Sequence, residues 1–354
     1  MEKPARCPRE WWGACGLKPR CGRRRGRRTN SACASQVVLD AARTPPCEGG
    51  VRWTWDDGQP GTRRARGHVP TARKWTESGR AASLSAVSVR FTILGSGSGG
   101  NCAYLEAGET RLLIDAGFSA RQIRERLASI GRAPEGLSGV LVTHEHGDHI
   151  QGLGTLCGKV GIPIFANRLT REAIEYKFGT RLEFRVFETG ASFTVGEVEV
   201  QTFSVPHDAM DPVGFLLRTV AGNVGFLTDL GHATKLVLER VRPAEVLVLE
   251  ANHDLKLLQD DTRRPWGTKQ RILSRHGHLS NEAAAEVAAE LAGGPVRHIY
   301  LGHLSRDCNS PELAHRAVAG RLAQMGAVSI AIENTSQERI SPTLVLGGGT
   351  VASG

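Results

Sequence analysis

The sequence predicts an α/β fold in which a pair of sheets is sandwiched between helices, preceded by a basic segment that stands outside it. Two observations carry this. Helical and strand periods alternate over residues 111–178, give way to consecutive strand signals over residues 184–227, and alternate again from residue 234. Two halves of that kind fit two sheets covered by helices. The patterning also begins only near Val87, and the 40% hydrophobic content of the 354 residues is enough for a substantial core.

Charge breaks at the same place. Residues 1–88 hold 18 Lys+Arg and 7 Asp+Glu, so the whole-chain totals of 45 and 36 leave 27 and 29, a net −2, for residues 89–354. The net charge of +9 therefore belongs to the N-terminal segment and says nothing about a basic catalytic domain. That segment carries Arg23-Arg-Arg-Gly-Arg-Arg28 and five of the six tryptophans, with no sustained period. Three accounts compete: a disordered basic arm contacting nucleic-acid phosphates, an Arg-rich transit peptide, or upstream sequence that is not native. Glu2 and Glu10 speak against the transit peptide, and pattern-free sequence ahead of a well-patterned domain favours the last. Five of the eight cysteines lie there without a CxxC pair, while Cys102, Cys157 and Cys308 are expected to stay reduced in a cytoplasmic protein. No apolar run of about 18 residues predicts a membrane span, and the charged start has no apolar stretch behind it to make a signal peptide.

The elements follow in order. Val87, Val89, Phe91 and Ile93 alternate with polar residues, a half-buried strand that runs into Gly95-Ser-Gly-Ser-Gly-Gly-Asn101. Gly95, Gly97 and Gly100 satisfy GxGxxG, and Asp115 stands where a ribose-binding acid would be. A dinucleotide fingerprint opens a helix, however, and residues 102–106 and 111–114 look like two strands joined at Gly108. A tight loop that brings backbone close to a metal site or a phosphate is the better account. Ser119 caps a helix with Ile123, Leu127 and Ile130 on one face. Residues 139–142 form a buried strand, 152–160 and 169–178 short helices, and 162–166 a strand between them. Strands follow at 184–187, 192–195, 198–205, 214–220 and 224–227, with turns at Gly190, Gly196 and Gly222. Residues 234–241, 281–291 (capped by Ser280) and 311–325 are helices, and 246–249, 298–301 and 328–332 are strands.

Behind the strand at 139–142 stands Thr143-His-Glu-His-Gly-Asp-His149. In an extended segment His144 and His146 share a side, and a turn at Gly147 swings Asp148 and His149 toward the same space. A lone His is usually ordinary, but three imidazoles and a carboxylate at one strand end suit Zn, Mn or Fe, and no thiolate is near to close a structural zinc site. A two-metal site needs further donors at strand ends. His207 in Ser204-Val-Pro-His-Asp208, Asp229 after Gly225-Phe-Leu-Thr228 and His303 after Ile299-Tyr-Leu-Gly302 qualify. Each taken singly has an ordinary structural role.

The His-x-His-x-Asp-His stretch resembles the signature of the metallo-β-lactamase superfamily, and the three later positions match its later motifs in order. The resemblance implies a four-layer αββα sandwich with metals at one edge. It also implies that His144, His146 and His207 hold one ion, that Asp148, His149 and His303 hold the other, and that Asp229 bridges them. A bridging Asp in place of Cys makes a β-lactam substrate unexpected, and too little chain lies between Asp229 and His303 for a β-CASP insertion. Leu249-Glu-Ala-Asn-His-Asp254, Gly277-His-Leu-Ser-Asn281, Gly302-His-Leu-Ser305 and the glycine loop look like the YycJ/WalJ exonuclease group, over about residues 89–325. Cys308-Asn309 departs from the expected pair of asparagines.

Metal-dependent DNA exonuclease activity of the cytoplasm is what this resemblance implies. Two divalent ions, zinc first and manganese second, would lower the pKa of a shared water toward about 7, with Asp148 and Asp229 as the catalytic carboxylates. Glu250 is expected to orient a ligand from behind, and His253 and His278 either contact the phosphate or serve as structural caps. With no net attraction for a polyanion, a local grip is sought in Arg263, Arg264, Lys269, Arg271 and Arg275, with Trp266 placed to stack on a base. The rivals are a thioester or lactone hydrolase on the same site, and a nucleic-acid-binding protein with a structural metal.

Overall fold

The computed structural model describes residues 88–179 and 182–347. The expectation for the basic segment, residues 1–88, falls on residues outside these, Ser88 apart, so its boundary with a catalytic domain at 89–354 stays an expectation.

Among the described residues two seven-stranded sheets form, and each is built the same way. The first comprises β1 (Val89–Gly95), β2 (Cys102–Ala107), β3 (Thr110–Ile114), β4 (Gly139–Leu141), β5 (Ile164–Asn167), β6 (Phe184–Phe187) and, on the far edge beside β1, β14 (Leu344–Leu346). The second comprises β7 (Ser192–Val195), β8 (Val198–Ser204), β9 (Val213–Thr219), β10 (Gly222–Leu227), β11 (Val246–Glu250), β12 (His298–Gly302) and β13 (Ala331–Asn334). In each sheet three antiparallel pairings give way to three parallel ones, and the parallel ones need the helical crossovers that connect them.

Three apolar layers hold four layers of structure together. Phe91, Ile93, Leu105 and Leu112 of the first sheet meet Phe215, Leu217, Phe226 and Val248 of the second. The outer face of the first sheet packs on α1 (Ala120–Ser129), α3 (Leu153–Val160) and α4 (Arg168–Phe178), through Ile123, Leu127, Leu156 and Ile174. The outer face of the second packs on α5 (Lys235–Val241), α8 (Asn281–Leu291) and α9 (Pro311–Gln324), through Val237, Val241, Ala284, Val287 and Val318. This is the expected αββα sandwich. Ser119 caps α1 in a capping box with Gln122, and Ser280 accepts from Ala283 N at the start of α8.

The strand expected over 328–332 begins instead at Ala331: Val328 lies in a turn and is 78% exposed, since its partner strand β12 starts only at His298, opposite Ala331. Periodicity also missed α2 (Gly147–Ile150), α6 (Leu255–Asp260), α7 (Trp266–Ile272) and β14, all too short to establish a period. The stretch carrying Arg263, Arg264 and Trp266 is therefore not one loop but the turn between α6 and α7 and the first residue of α7. No described helix is long and apolar enough to cross a membrane.

Candidate metal centre

The His and Asp side chains singled out from the sequence converge at one end of the sandwich, off the carboxyl ends of strands. This is the edge at which open α/β sheets gather ligands, because crossovers leave crevices there. Asp115 follows β3, His144 to His149 follow β4, His207 follows β8, Asp229 follows β10, Glu250 ends β11, and His303 follows β12. Asp115, Asp229 and His303 are the non-glycine residues with positive φ among those described, at 60°, 54° and 54°. A left-handed residue turns the chain sharply as it leaves the strand and costs about 1–2 kcal/mol, so three of them at one edge mark a geometry imposed by its surroundings.

Three donor groups result among the described residues, two of them made of the expected ligands and a third, Asp229, Glu250, His278 and His303, that shares Asp229 and His303 with the second. His144, His146 and His207 offer nitrogens that all lie within 4.8 Å of one another, as do the ligand atoms of Asp148, His149, Asp229 and His303. His146 Nδ1 and His207 Nε2 are 3.2 Å apart. Asp229 faces the first two groups: its Oδ1 is 3.9 Å from His207 Nε2, and its Oδ2 is 3.0 Å from His149 Nε2 and 2.8 Å from His303 Nδ1. Asp148 Oδ2 is 3.6 Å from both His149 Nε2 and His303 Nε2.

The surrounding hydrogen bonds fix which nitrogens are bare. His149 Nδ1 donates to Asp115 Oδ2 at 2.7 Å and His207 Nδ1 to the Gly277 carbonyl at 3.0 Å. Thr143 Oγ1 donates to Asp115 Oδ2 at 2.9 Å, so the 3.0 Å contact with His144 Nδ1 makes that nitrogen the donor. The opposite nitrogens of His144 and His207 therefore present lone pairs inward. His144 Nε2 is buried and has no hydrogen-bond partner. A buried lone pair without a donor is what a cation would satisfy. The residues present thus fit divalent metal.

Electrostatics agree for the first group, whereas in the second the carboxylates, against burial, raise His149 and His303 and favour protonated rings, from which a metal would displace the proton. Burial first, and the neighbouring imidazoles next, hold His144 well below its ordinary pKa and lower His146. Burial likewise lowers His207. All three rings are neutral near pH 7, as ligation demands. Burial opposes charge on His149 as well, but the carboxylates of Asp229, Asp115 and Asp148 outweigh it and raise the pKa well above the usual value. For Asp229 burial is outweighed by His303 and His149, which hold it well below the usual carboxylate range.

The glycine loop reaches this centre. Asn101 N donates to the Asp148 carbonyl at 2.8 Å, Asn101 Nδ2 lies 3.1 Å from His149 Nε2, and His303 N donates to Ser96 Oγ at 2.8 Å. A Cβ on Gly117 would fall 1.6 Å from the Asp148 carbonyl, so only glycine lets this clamp close. Glu250 Oε1 accepts from His278 Nδ1 at 2.7 Å, and Glu250 Oε2 accepts from Leu230 N at 2.9 Å. His278 is raised to about 9, burial being outweighed by Glu250.

Most of the other expected residues are already paired. Arg263 and Arg264 both pair with Asp261 and Asp307, Arg271 pairs with Asp208, and Lys269 is buried with its Nζ on the Gln259 carbonyl. Trp266 is 62% exposed. Asp115, Thr143 and Asn101 were not picked out from the sequence as parts of this site. From the sequence Asp115 reads as a nucleotide ligand, and its position at the end of a strand, like that of the other donors, is the signal that links it to them.

Comparison with known proteins follows the same line. The profile described as beta-lactamase superfamily domain matches residues 110–304. Exodeoxyribonuclease WalJ of Streptococcus pneumoniae serotype 2 is 38% identical over 266 residues, covering 73% of this chain and 98% of that protein. Exodeoxyribonuclease YycJ of Bacillus anthracis is 38% identical over 241 residues, covering 67% of this chain and 90% of that protein. Among solved structures, the metallo-beta-lactamase fold protein YhfI of Bacillus subtilis aligns with a TM-score of 0.55 at 16% identity, over 72% of this chain and 99% of that one. At that identity the likeness concerns the fold alone.

Proposed function

The chain belongs to the β-lactamase superfamily, and from that premise we propose that it is a metal-dependent DNA exonuclease hydrolysing phosphodiester bonds at a dinuclear centre. Two donor groups joined through the single carboxylate of Asp229 are the observation that carries the reading. The activity named for the pneumococcal and anthrax relatives supports DNA as the substrate. His144, His146 and His207 would hold one ion, and Asp148, His149 and His303 the other, with Asp229 between them. Zinc suits this imidazole and carboxylate set, and manganese is the second choice.

When bound, such a pair supplies charge neutralisation at the phosphoryl oxygens and an acidified water. The protein supplies the rest. Asp115 and the Gly277 carbonyl lock two imidazoles in the ligating tautomer. Asp148, partly open to solvent and steadied by Asn101 Nδ2 at 3.4 Å, is placed to orient the attacking water. Buried Glu250 holds His278 beside Asp229 as a cation facing the phosphate. We place the activity in the cytoplasm, where Cys102, Cys157 and Cys308, free and buried here, would stay reduced.

The test is metal-loaded protein on end-labelled linear DNA, RNA of the same sequence, closed circular DNA and an acyl-glutathione. Linear DNA should yield mononucleotides, chelation should abolish this, and zinc or manganese should restore it. Hydrolysis of the thioester with DNA left intact would replace this reading with the small-molecule one.

A further inference from the structure

Residues 89–354 carry a net −2, so a hold on a polyanion has to come from individual cations at the metal edge. Most of those are taken. Arg263 and Arg264 pair with Asp261 and Asp307, Arg271 with Asp208 and Arg306 with Glu338, while the Arg126 guanidinium donates to the Leu94 and Gln337 carbonyls. Lys177 is different. It is exposed, in the last turn of α4, and makes no ion pair among the described residues. The acids of its own helix are occupied, Glu172 by Arg168 and Glu175 by Arg171. Arg275 and Arg339 are likewise exposed without an ion pair among the described residues, and what singles Lys177 out is its place.

Gly147 joins His146 of the first donor group to Asp148 of the second. A Cβ on Gly147 would fall 3.6 Å from Lys177 Nζ, and among the described residues no atom of another element comes nearer. The ammonium therefore overhangs the turn between the two groups, on a side that is otherwise open. Packing holds the helix end there: Ile174 is fully buried, and Phe178 meets α3 so closely that a Cβ on Gly154 would fall 2.9 Å from its ring. The carboxylates on either side of Gly147 are turned elsewhere. Asp148 faces His149 and His303 at 3.6 Å from each, and Glu145 accepts from Met210 N at 2.9 Å with its other oxygen buried.

We propose that Lys177 holds a backbone phosphate of the strand being digested, the one next to the scissile phosphate. The inference rests on the nuclease reading above. The scissile phosphate belongs at the donors, where bound ions would neutralise it. Lys177 lies outside both donor groups and on the solvent side of the loop that links them, so the phosphate it meets is a neighbour along the strand. An ammonium on a flexible stem takes a phosphate as a point charge and reads no sequence. Its effect is to position the strand over the ions.

The experiment measures kcat/KM of the metal-loaded, full-length protein on a single-stranded oligodeoxynucleotide over a series of salt concentrations, for the parent, Lys177→Ala, Lys177→Arg and Arg240→Ala. Arg240 is also exposed and without an ion pair among the described residues, but it stands at the end of α5, just ahead of β11 and so near the amino ends of the strands. Losing one phosphate contact makes the slope of log kcat/KM against log salt shallower by about 0.7 for a single strand. Lys177→Ala should therefore fall below the parent at low salt, mainly through KM, and a tenfold rise in salt should narrow that gap roughly fivefold. Lys177→Arg, which keeps the charge, should keep the parent's slope. The loss of Lys177→Ala on a small chromogenic phosphodiester, which has no neighbouring phosphate, should be several-fold smaller. A parental slope in Lys177→Ala, an alanine-like slope in Lys177→Arg, the same change in Arg240→Ala, or an equal loss on the chromogenic substrate would overturn the assignment while leaving the nuclease standing. A parent protein that cuts no DNA would sink the nuclease reading and the assignment with it.

Discussion

Asp115→Asn isolates the carboxylate that sets the tautomer of His149, because it keeps shape and removes only charge and one acceptor. Asp115 is fully buried, and asparagine tolerates its φ of 60° about as well as aspartate does. Oδ1 accepts from Thr143 N at 2.8 Å, and Oδ2 accepts from His149 Nδ1 at 2.7 Å. An amide cannot do both. With its oxygen toward Thr143, the NH₂ faces His149 Nδ1, which must become an acceptor, and the proton moves to the nitrogen that should face the metal. With the amide flipped, two donors confront each other at the Thr143 amide, leaving a buried group unpaired at about 1–3 kcal/mol. Either way metal affinity at the Asp148, His149 and His303 group should fall about 10–100-fold, the usual loss when a supporting carboxylate is removed. Metal titration calorimetry of the variant, with a thermal melt of the apoprotein as control, measures both terms. An unchanged affinity with an unchanged melt would refute the tautomer argument.

Asp229→Ala and Asp229→Gly should both lose metal and activity, but at φ 54° the glycine variant should melt higher as apoprotein, reversing the ordinary order of the two residues; alanine equal or better would deny the strain. Deleting residues 1–88 should leave the cooperative melt and the rate on short substrates unchanged. A truncated protein that no longer melts cooperatively would make that segment part of the fold. The Arg263→Ala/Arg264→Ala double variant should weaken binding of long DNA and flatten its salt dependence more than it slows a chromogenic phosphodiester, although the pairing of both residues with Asp261 and Asp307 lowers the expected effect. An unaltered salt slope would remove this turn from the DNA path. Glu106, bound by Arg132 at 2.6 and 2.8 Å, has a lowered pKa because Arg132 and the Tyr104 hydroxyl outweigh its burial. Its stabilisation is therefore present above the unfolded-state pKa and lost as pH falls through the folded one, so Glu106→Gln should melt below the parent at pH 7 and converge with it only once the pH has fallen through the lowered folded-state value. A gap independent of pH would contradict that sign.

Much of this was legible because each buried strand announced itself by a run such as Val140-Leu-Val142 or Val246-Leu-Val-Leu249, and each long helix by a cap and an apolar face. The donors were legible because imidazoles cluster at strand ends for few structural reasons. What escaped was short or depended on contact. α6 and α7 have 6 and 7 residues, less than two full turns of period, and the register that adds β14 to the edge of β1 is a matter of two segments more than 200 positions apart meeting. The same limit hid the charge pairing: Arg263, Arg264 and Arg271 suggested a phosphate track, but only the fold brings Asp307 and Asp208 against them.

Asp115, Thr143 and Asn101 escaped for a further reason, which concerns how such a centre is held. A carboxylate that supports a ligand need not lie near it in sequence: Asp115 is 34 positions from the His149 it orients, and it reaches that ring only because β3 and β4 run parallel and end together. Left-handed residues at Asp115, Asp229 and His303 then turn three strand ends inward, at about 1–2 kcal/mol each. Only packed sheets behind them can sustain that cost, and the layer around Phe91, Phe215 and Tyr300 lies between the two sheets from whose strand ends these residues project. The donors are consequently held in place by the packing behind their strand ends. Such a centre should bind metal without a change in fold.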